Sequence, residues 1–167
     1  MDAWLKQARE EIEDATAGIC GEEWLRAPEG KWNCSHILEH LSMTFSGTAR
    51  MLEKRLAAAN PDPVPSPTLK QRIIHLLIFT RGEIPEGRTA PMGVRPKGID
   101  GQEALRRILQ YLSAMAEQID AAEKRWGSSA YIALHPILGP LRADQWRRFH
   151  FIHTRHHMRQ IKERRSL

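Results

Sequence analysis

Four stretches of this chain repeat their apolar residues every three or four positions, and no stretch alternates with a period of two. That spacing gathers apolar side chains on one face of an α-helix. The first stretch runs from Asp2 to Ile19, with Leu5, Ala8, Ile12, Ala15 and Ile19 on one stripe and Gly18 and Gly21 at its end. The second runs from Asn33 to Ala59, with Leu38, Leu41, Phe45, Thr48 and Leu52 on its stripe. Asn33 or Ser35 can cap its start, and Pro61, Pro63, Pro65 and Pro67 end it. The third runs from Gln102 to Arg125 through Leu105, Ile108, Leu112, Met115, Ile119 and Ala122. The fourth runs from Asp144 to Arg164, acidic in its first turn and basic in its last, as the helix dipole favours.

Four amphipathic helices of similar length predict an all-α fold, an antiparallel four-helix bundle, with residues 1–167 as one domain. The connection between the second and third helices, Asn60 to Gly101, is unusually long. Ile73, Ile74, Leu77 and Ile78 place one short extra helix in it, over Leu69 to Thr80, and the Gly- and Pro-rich remainder, Arg81 to Asp100, reads as loop. Tyr131 to Pro140 reads as an ordered turn region.

Composition narrows the function classes. No run is long and apolar enough for a membrane span, and the N-terminus lacks the apolar core of a secretory signal. The two cysteines, Cys20 and Cys34, cannot form a disulfide framework, so a cytoplasmic location is expected. The net charge of +5 permits nucleic-acid binding, but no binding motif or interleaved aromatics accompany the basic residues, so nucleic acid is not the expected partner. No nucleophilic triad, phosphate-cradling glycine loop or paired carboxylates stand out.

Histidine is the informative residue. Four of the eight lie together: His150, His153, His156 and His157. At about 100° per residue, Trp146, Phe149, His150, His153, His157, Gln160 and Ile161 fall within roughly 60° of one direction. His156 lies about 80° off it. Arg147, Arg148, Arg155, Arg159, Lys162 and Arg165 fall on the opposite side, as a solvated face would. His153 and His157 are therefore one turn apart on the inward face, where two imidazoles can reach one ion and an unpaired polar group is costly. A third ligand can come from the second helix. There His40 sits about 90° from the apolar centre and His36 about 130°, so His40 is the candidate and His36 reads as solvent-exposed. Gln160, His156 and Glu39 are candidates for orienting a ligand.

The segments W-N-C-S-H-I-L-E-H-L (Trp32 to Leu41) and H-T-R-H-H-M-R-Q-I (His153 to Ile161) resemble the DinB-like superfamily. The stretch H-P-I-L-G-P-L-R-A-D-Q-W (His135 to Trp146) resembles its domain-of-unknown-function branch. The resemblance implies a four-helix bundle with a three-histidine metal site at His40, His153 and His157. It implies a divalent ion, zinc or nickel foremost, a small-molecule substrate and a homodimer. Characterised members include isomerases and transferases that use small thiols such as bacillithiol or mycothiol, so a metal-dependent transferase or hydrolase with a small thiol cosubstrate is the expected class. The alternative is a non-catalytic dimeric structural or stress-response protein. His156 and the enlarged connection depart from the plainest family pattern, and the connection is placed to cover the mouth of a site.

Overall fold

The computed structural model describes residues 2–85 and 90–167. The chain is mostly helical, with one small two-stranded sheet. Helix α1 spans Ala3–Thr16, α2 Cys34–Ala57, α3 Leu69–Arg81, α4 Gly101–Trp126 and α5 Ala143–Arg165. Strands β1, Tyr131–His135, and β2, Gly139–Arg142, form a hairpin between α4 and α5.

Helices α1, α2 and α4 each start where a short polar side chain satisfies some of the first free N–H groups. Asp2 accepts from the Trp4 N–H at the head of α1, Asn33 from the His36 N–H at the head of α2, and Asp100 from Gln102 and Glu103 at the head of α4. Thr68 and Gln71 cap α3 reciprocally, and Gly82, at φ 64°, closes it in the left-handed conformation that glycine adopts without penalty. Helix α1 stops at Thr16, three residues short of its periodic pattern. Gly18 turns the chain at φ 72°, and Ile19 is buried from the loop that follows.

The apolar stripes meet as their spacing requires. Leu5, Ile12, Leu41, Phe45, Ile108, Leu112, Ile119 and Trp146 are all fully or almost fully buried in one continuous core. Helix α2 packs chiefly on α4, and α1 on α5. Because α5 also packs on α4, its supposed solvated face is partly covered: Arg147 is buried and bonded at 2.7 Å to both Asp120 and Glu123 of α4. Lys162 pairs with Asp14, and Arg165 donates to the carbonyls of Ala15 and Ala17. Part of the basic surplus is thus engaged within the fold.

The hairpin corrects the turn reading of Tyr131 to Pro140 and the expectation of no strands. Its strands are too short for a period-two signal to rise above a generic loop, and Pro140 argues against a strand except at an edge. The turn is held instead by a side chain: His135 Nδ1 accepts the N–H groups of Ile137 and Leu138, each at 3.1 Å. The extra helix in the long connection is present as α3. Residues 86–89 of the expected Arg81–Asp100 loop lie outside the described residues, and the described remainder includes a short 3-10 turn at Met92–Val94.

Candidate metal centre

Leu41 takes α2 into the core, so His40 stands at the rim of the buried stripe. It is nevertheless only 4% exposed, because α5 and the Met92–Val94 turn close over that rim. On α5, Trp146, Phe149 and Ile161 face inward, and the helical pitch brings His153 and His157 round to the same side. The three rings converge edge-on. His40 and His153 are nearly perpendicular at 89°, and the His153–His157 centroids are 4.7 Å apart.

The Nε2 atoms meet. His153 Nε2 lies 3.1 Å from His157 Nε2 and 3.3 Å from His40 Nε2. Zinc–imidazole bonds of about 2.0–2.1 Å at tetrahedral angles put donor nitrogens roughly 3.3 Å apart, and right angles put them roughly 2.9 Å apart. The observed separations fall within that span. The three-histidine group can hold a metal ion.

Hydrogen bonds at the far side of the rings decide what the Nε2 atoms offer. His40 Nδ1 is 2.7 Å from the Val94 carbonyl, which only accepts, so Nδ1 carries the proton and Nε2 a lone pair. His157 Nδ1 is 2.8 Å from Gln160 Oε1, and Gln160 Nε2 is 3.2 Å from His156 Nε2. With the amide donating to His156, its oxygen accepts from His157, whose Nε2 is also a lone pair. His153 has at most one proton on Nε2 and cannot donate to both. At least one contact therefore sets lone pair against lone pair at hydrogen-bond distance, an arrangement that a shared cation relieves. The residues fit a metal on this count.

Burial favours the same protonation state. It lowers the pKa of all three: His40 against the pull of the Val94 carbonyl, His157 to about 3 with help from His40, and His153 well below the usual imidazole range with help from its histidine neighbours. The rings are neutral at ordinary pH, as ligation requires. Phe149 stacks on His153 at 27°, and Trp32 packs against His40 with centroids 5.0 Å apart, so aromatic walls flank the centre.

Glu39, considered as a ligand-orienting residue, acts one step further out. Its Oε2 accepts three successive backbone N–H groups, from Lys97, Gly98 and Ile99, at 3.0, 2.8 and 3.2 Å. Burial raises its pKa, but the three N–H donors outweigh this and hold it below the usual carboxylate range. The long connection is thus tied to α2 at two consecutive residues, Glu39 through its carboxylate and His40 through Val94. His36 is half-buried rather than exposed, with the Gly98 backbone beside it, and takes no part in the three-ring cluster. The Val94 carbonyl was invisible in the sequence, since every residue carries one.

A family profile described as "Protein of unknown function (DUF1569)" matches residues 21–164, a span that contains all three histidines, Glu39 and Gln160. The chain belongs to the DUF1569 family. No curated protein and no solved structure matches it. Among the described residues, no helix is long and apolar enough to cross a membrane. Of this DUF1569 chain's other histidines, His75 and His150 are buried and bonded to the Leu138 carbonyl and the Thr48 hydroxyl, apart from the three-ring cluster. Cys34 is buried near the start of α2, and burial raises its thiol pKa, against any use as a nucleophile.

Proposed function

We propose that this chain is a metal-dependent enzyme on a DinB-like antiparallel four-helix bundle, with residues 1–167 as one domain and His40, His153 and His157 holding one divalent ion. The observation that carries this reading is the convergence of three neutral imidazole nitrogens, two of them with lone pairs fixed toward a common point. Three protein ligands leave such an ion an open position, the mark of a catalytic rather than a closed structural site. Imidazole ligation suits zinc or nickel. The ion's chemistry is that of a Lewis acid, which lowers the pKa of a coordinated water or thiol. The thiol belongs to the reading by resemblance: transfer of a small thiol to a small-molecule substrate, with hydrolysis as the variant in which water takes its place.

The chain's own residues do the positioning. Val94 and Gln160 fix the tautomers of His40 and His157, Glu39 holds the Lys97–Ile99 backbone against α2, and Phe149 and Trp32 keep water from the sides of the rings. The test is metal content after purification without chelators. About one divalent ion per chain is expected, lost in His153→Ala with the helical circular dichroism retained. Metal-free protein that takes up neither zinc nor nickel would overturn the proposal.

A homodimer is part of the same proposal, and α3 supports it. Ile73 and Leu77 are exposed on the face opposite buried His75 and Phe79, with Leu69 and Leu76 exposed at its flank. A helix apolar on both sides at a surface commonly has a partner. A twofold axis would lay that face, about 20 Å long, against its own copy. Ile73→Glu should then yield a monomer by light scattering, and an unchanged mass would reject this interface. The same face favours the second reading, a non-catalytic dimeric interaction protein with structural histidines. That reading expects dimer and fold to survive replacement of all three histidines and no turnover with any thiol.

A further inference from the structure

Beside the three-histidine cluster, α5 and the chain leaving α3 border an open cavity of about 410 Å³. Among the described residues, Arg81, Arg155 and Arg159 line it, with Glu83 as the one carboxylate. Its floor is apolar at Ile152, and His156 forms the wall nearest the cluster. We propose that this cavity binds a small molecule through an anionic group, a carboxylate or a phosphate, held by the three guanidinium groups. As an anion site the proposal stands alone; as the substrate's site it rests on the metal-centre reading.

Arg155 is oriented in advance. It donates to the Gly82 carbonyl at 2.6 Å and lies over the Phe151 ring, its carbon 5.1 Å from the centroid, and that one bond leaves most donors of its fork without a hydrogen bond among the described residues. Arg159 meets Glu83 only at 3.9 Å, with both side chains largely in solvent. So loose a pair contributes little and yields readily to a better acceptor. Arg81 is exposed and makes no ion pair among the described residues. Among the described lining residues, three guanidiniums against one carboxylate leave a positive surplus in a concave site, and the planar fork of arginine matches carboxylate and phosphate oxygens. The volume lies in the range of small-molecule sites.

The position gives the cavity its use. His156 lines it and accepts from Gln160 Nε2 at 3.2 Å, while Gln160 Oε1 holds His157 at 2.8 Å. One side chain therefore links the cavity wall to a proposed ligand. An anionic group anchored at the arginines would set the rest of the molecule next to the centre.

The test titrates the whole 167-residue chain, both as purified and after chelator treatment, with phenyl phosphate, benzoate and, as the neutral counterpart, benzamide. Saturable binding of one or both anions at about 1 mM or tighter is expected. Benzamide should bind at least tenfold more weakly. Arg81→Gln and Arg159→Gln should each cost about tenfold in anion affinity and leave metal content unchanged. The choice between the two anions names the preferred group. No anion binding, or binding indifferent to both substitutions, overturns the proposal. Binding that requires the metal and ignores the arginines would place the anion on the ion, so this proposal fails while the centre stands. Arginine-dependent binding to a protein that takes up no metal would reject the centre alone.

Discussion

Replacing Glu39 by glutamine removes one charge and almost no volume, which makes it a sharp test of how the long connection is held. In the native chain one oxygen accepts three backbone N–H groups at 2.8–3.2 Å from a side chain only 4% exposed. Hydrogen bonds to a charged group contribute about 1.5–3 kcal/mol each, and neutral ones about 0.5–1.5. The loss is therefore about 1 kcal/mol per bond. Three bonds on one atom are not additive, so the total should be about 1–3 kcal/mol. For a chain of this length that lowers Tm by roughly 3–9 °C. The pH signature is specific. The folded pKa lies below the usual value, so the carboxylate's contribution is present above the unfolded pKa and is lost as pH falls through the folded one. The difference between wild type and Glu39→Gln should be constant above about pH 5 and shrink below it. Because the same segment carries Val94 to His40, metal affinity by chelator competition should also fall, about tenfold. A Tm within 1 °C of wild type, or an unaltered metal affinity alongside a lowered Tm, would refute the reasoning.

Three further outcomes follow from the structure. Gln160→Leu removes the acceptor that fixes the His157 proton and should weaken metal binding about 10- to 100-fold while helix content stays constant, as chelator competition and circular dichroism will show. His135 and His150 are held neutral by burial, with pKa values pushed down to about 4 and about 3. Between those values and the unfolded value near 6.5 the unfolded chain binds more protons, so stability is full above pH 6.5 and declines on acidification, by up to about 1.4 kcal/mol per pH unit for each ring. Urea midpoints between pH 5 and 7 should fall accordingly, and a flat profile would contradict the burial argument. Gly101→Ala would bring a methyl group to 2.3 Å from Trp24 Cδ2; it should cost about 1–3 kcal/mol and shift Trp24 fluorescence, and a neutral result would mean that Trp24 moves aside without cost.

What was legible in the sequence depended on period. Leu5, Ile12, Phe45, Ile108 and Ile119 repeat over several turns, and each lies in the core where its stripe places it. His153 and His157 were legible for the same reason, because a helix carries them at a known angle to Trp146 and Phe149. His40 was a harder case. Its angle on α2 marks only an edge, and burial comes from Val94, 54 residues away in the chain and in a segment without periodicity. The hairpin was missed because His135, not a turn dipeptide, organises it. Arg147 was placed on the solvated side because one helical wheel cannot show that two neighbours cover α5 from different directions.

The three histidines are oriented by different means, and this bears on how the centre assembles. His157 is set by Gln160, one turn away on the same helix, so its lone pair is aimed as soon as α5 forms. His153 is set by stacking on Phe149, again within α5. His40 is set by Val94, whose place depends on the Lys97–Ile99 backbone reaching Glu39. Two of the three rings are thus oriented locally and the third waits on a long loop closure, which costs chain entropy before any contact repays it. A cation bound by all three would stabilise the closed loop by as much as the loop stabilises the bound cation, because linkage between two such equilibria is reciprocal. Metal should therefore protect the Lys97–Ile99 amides from hydrogen exchange more than it protects the apolar core, and Glu39→Gln should abolish that difference.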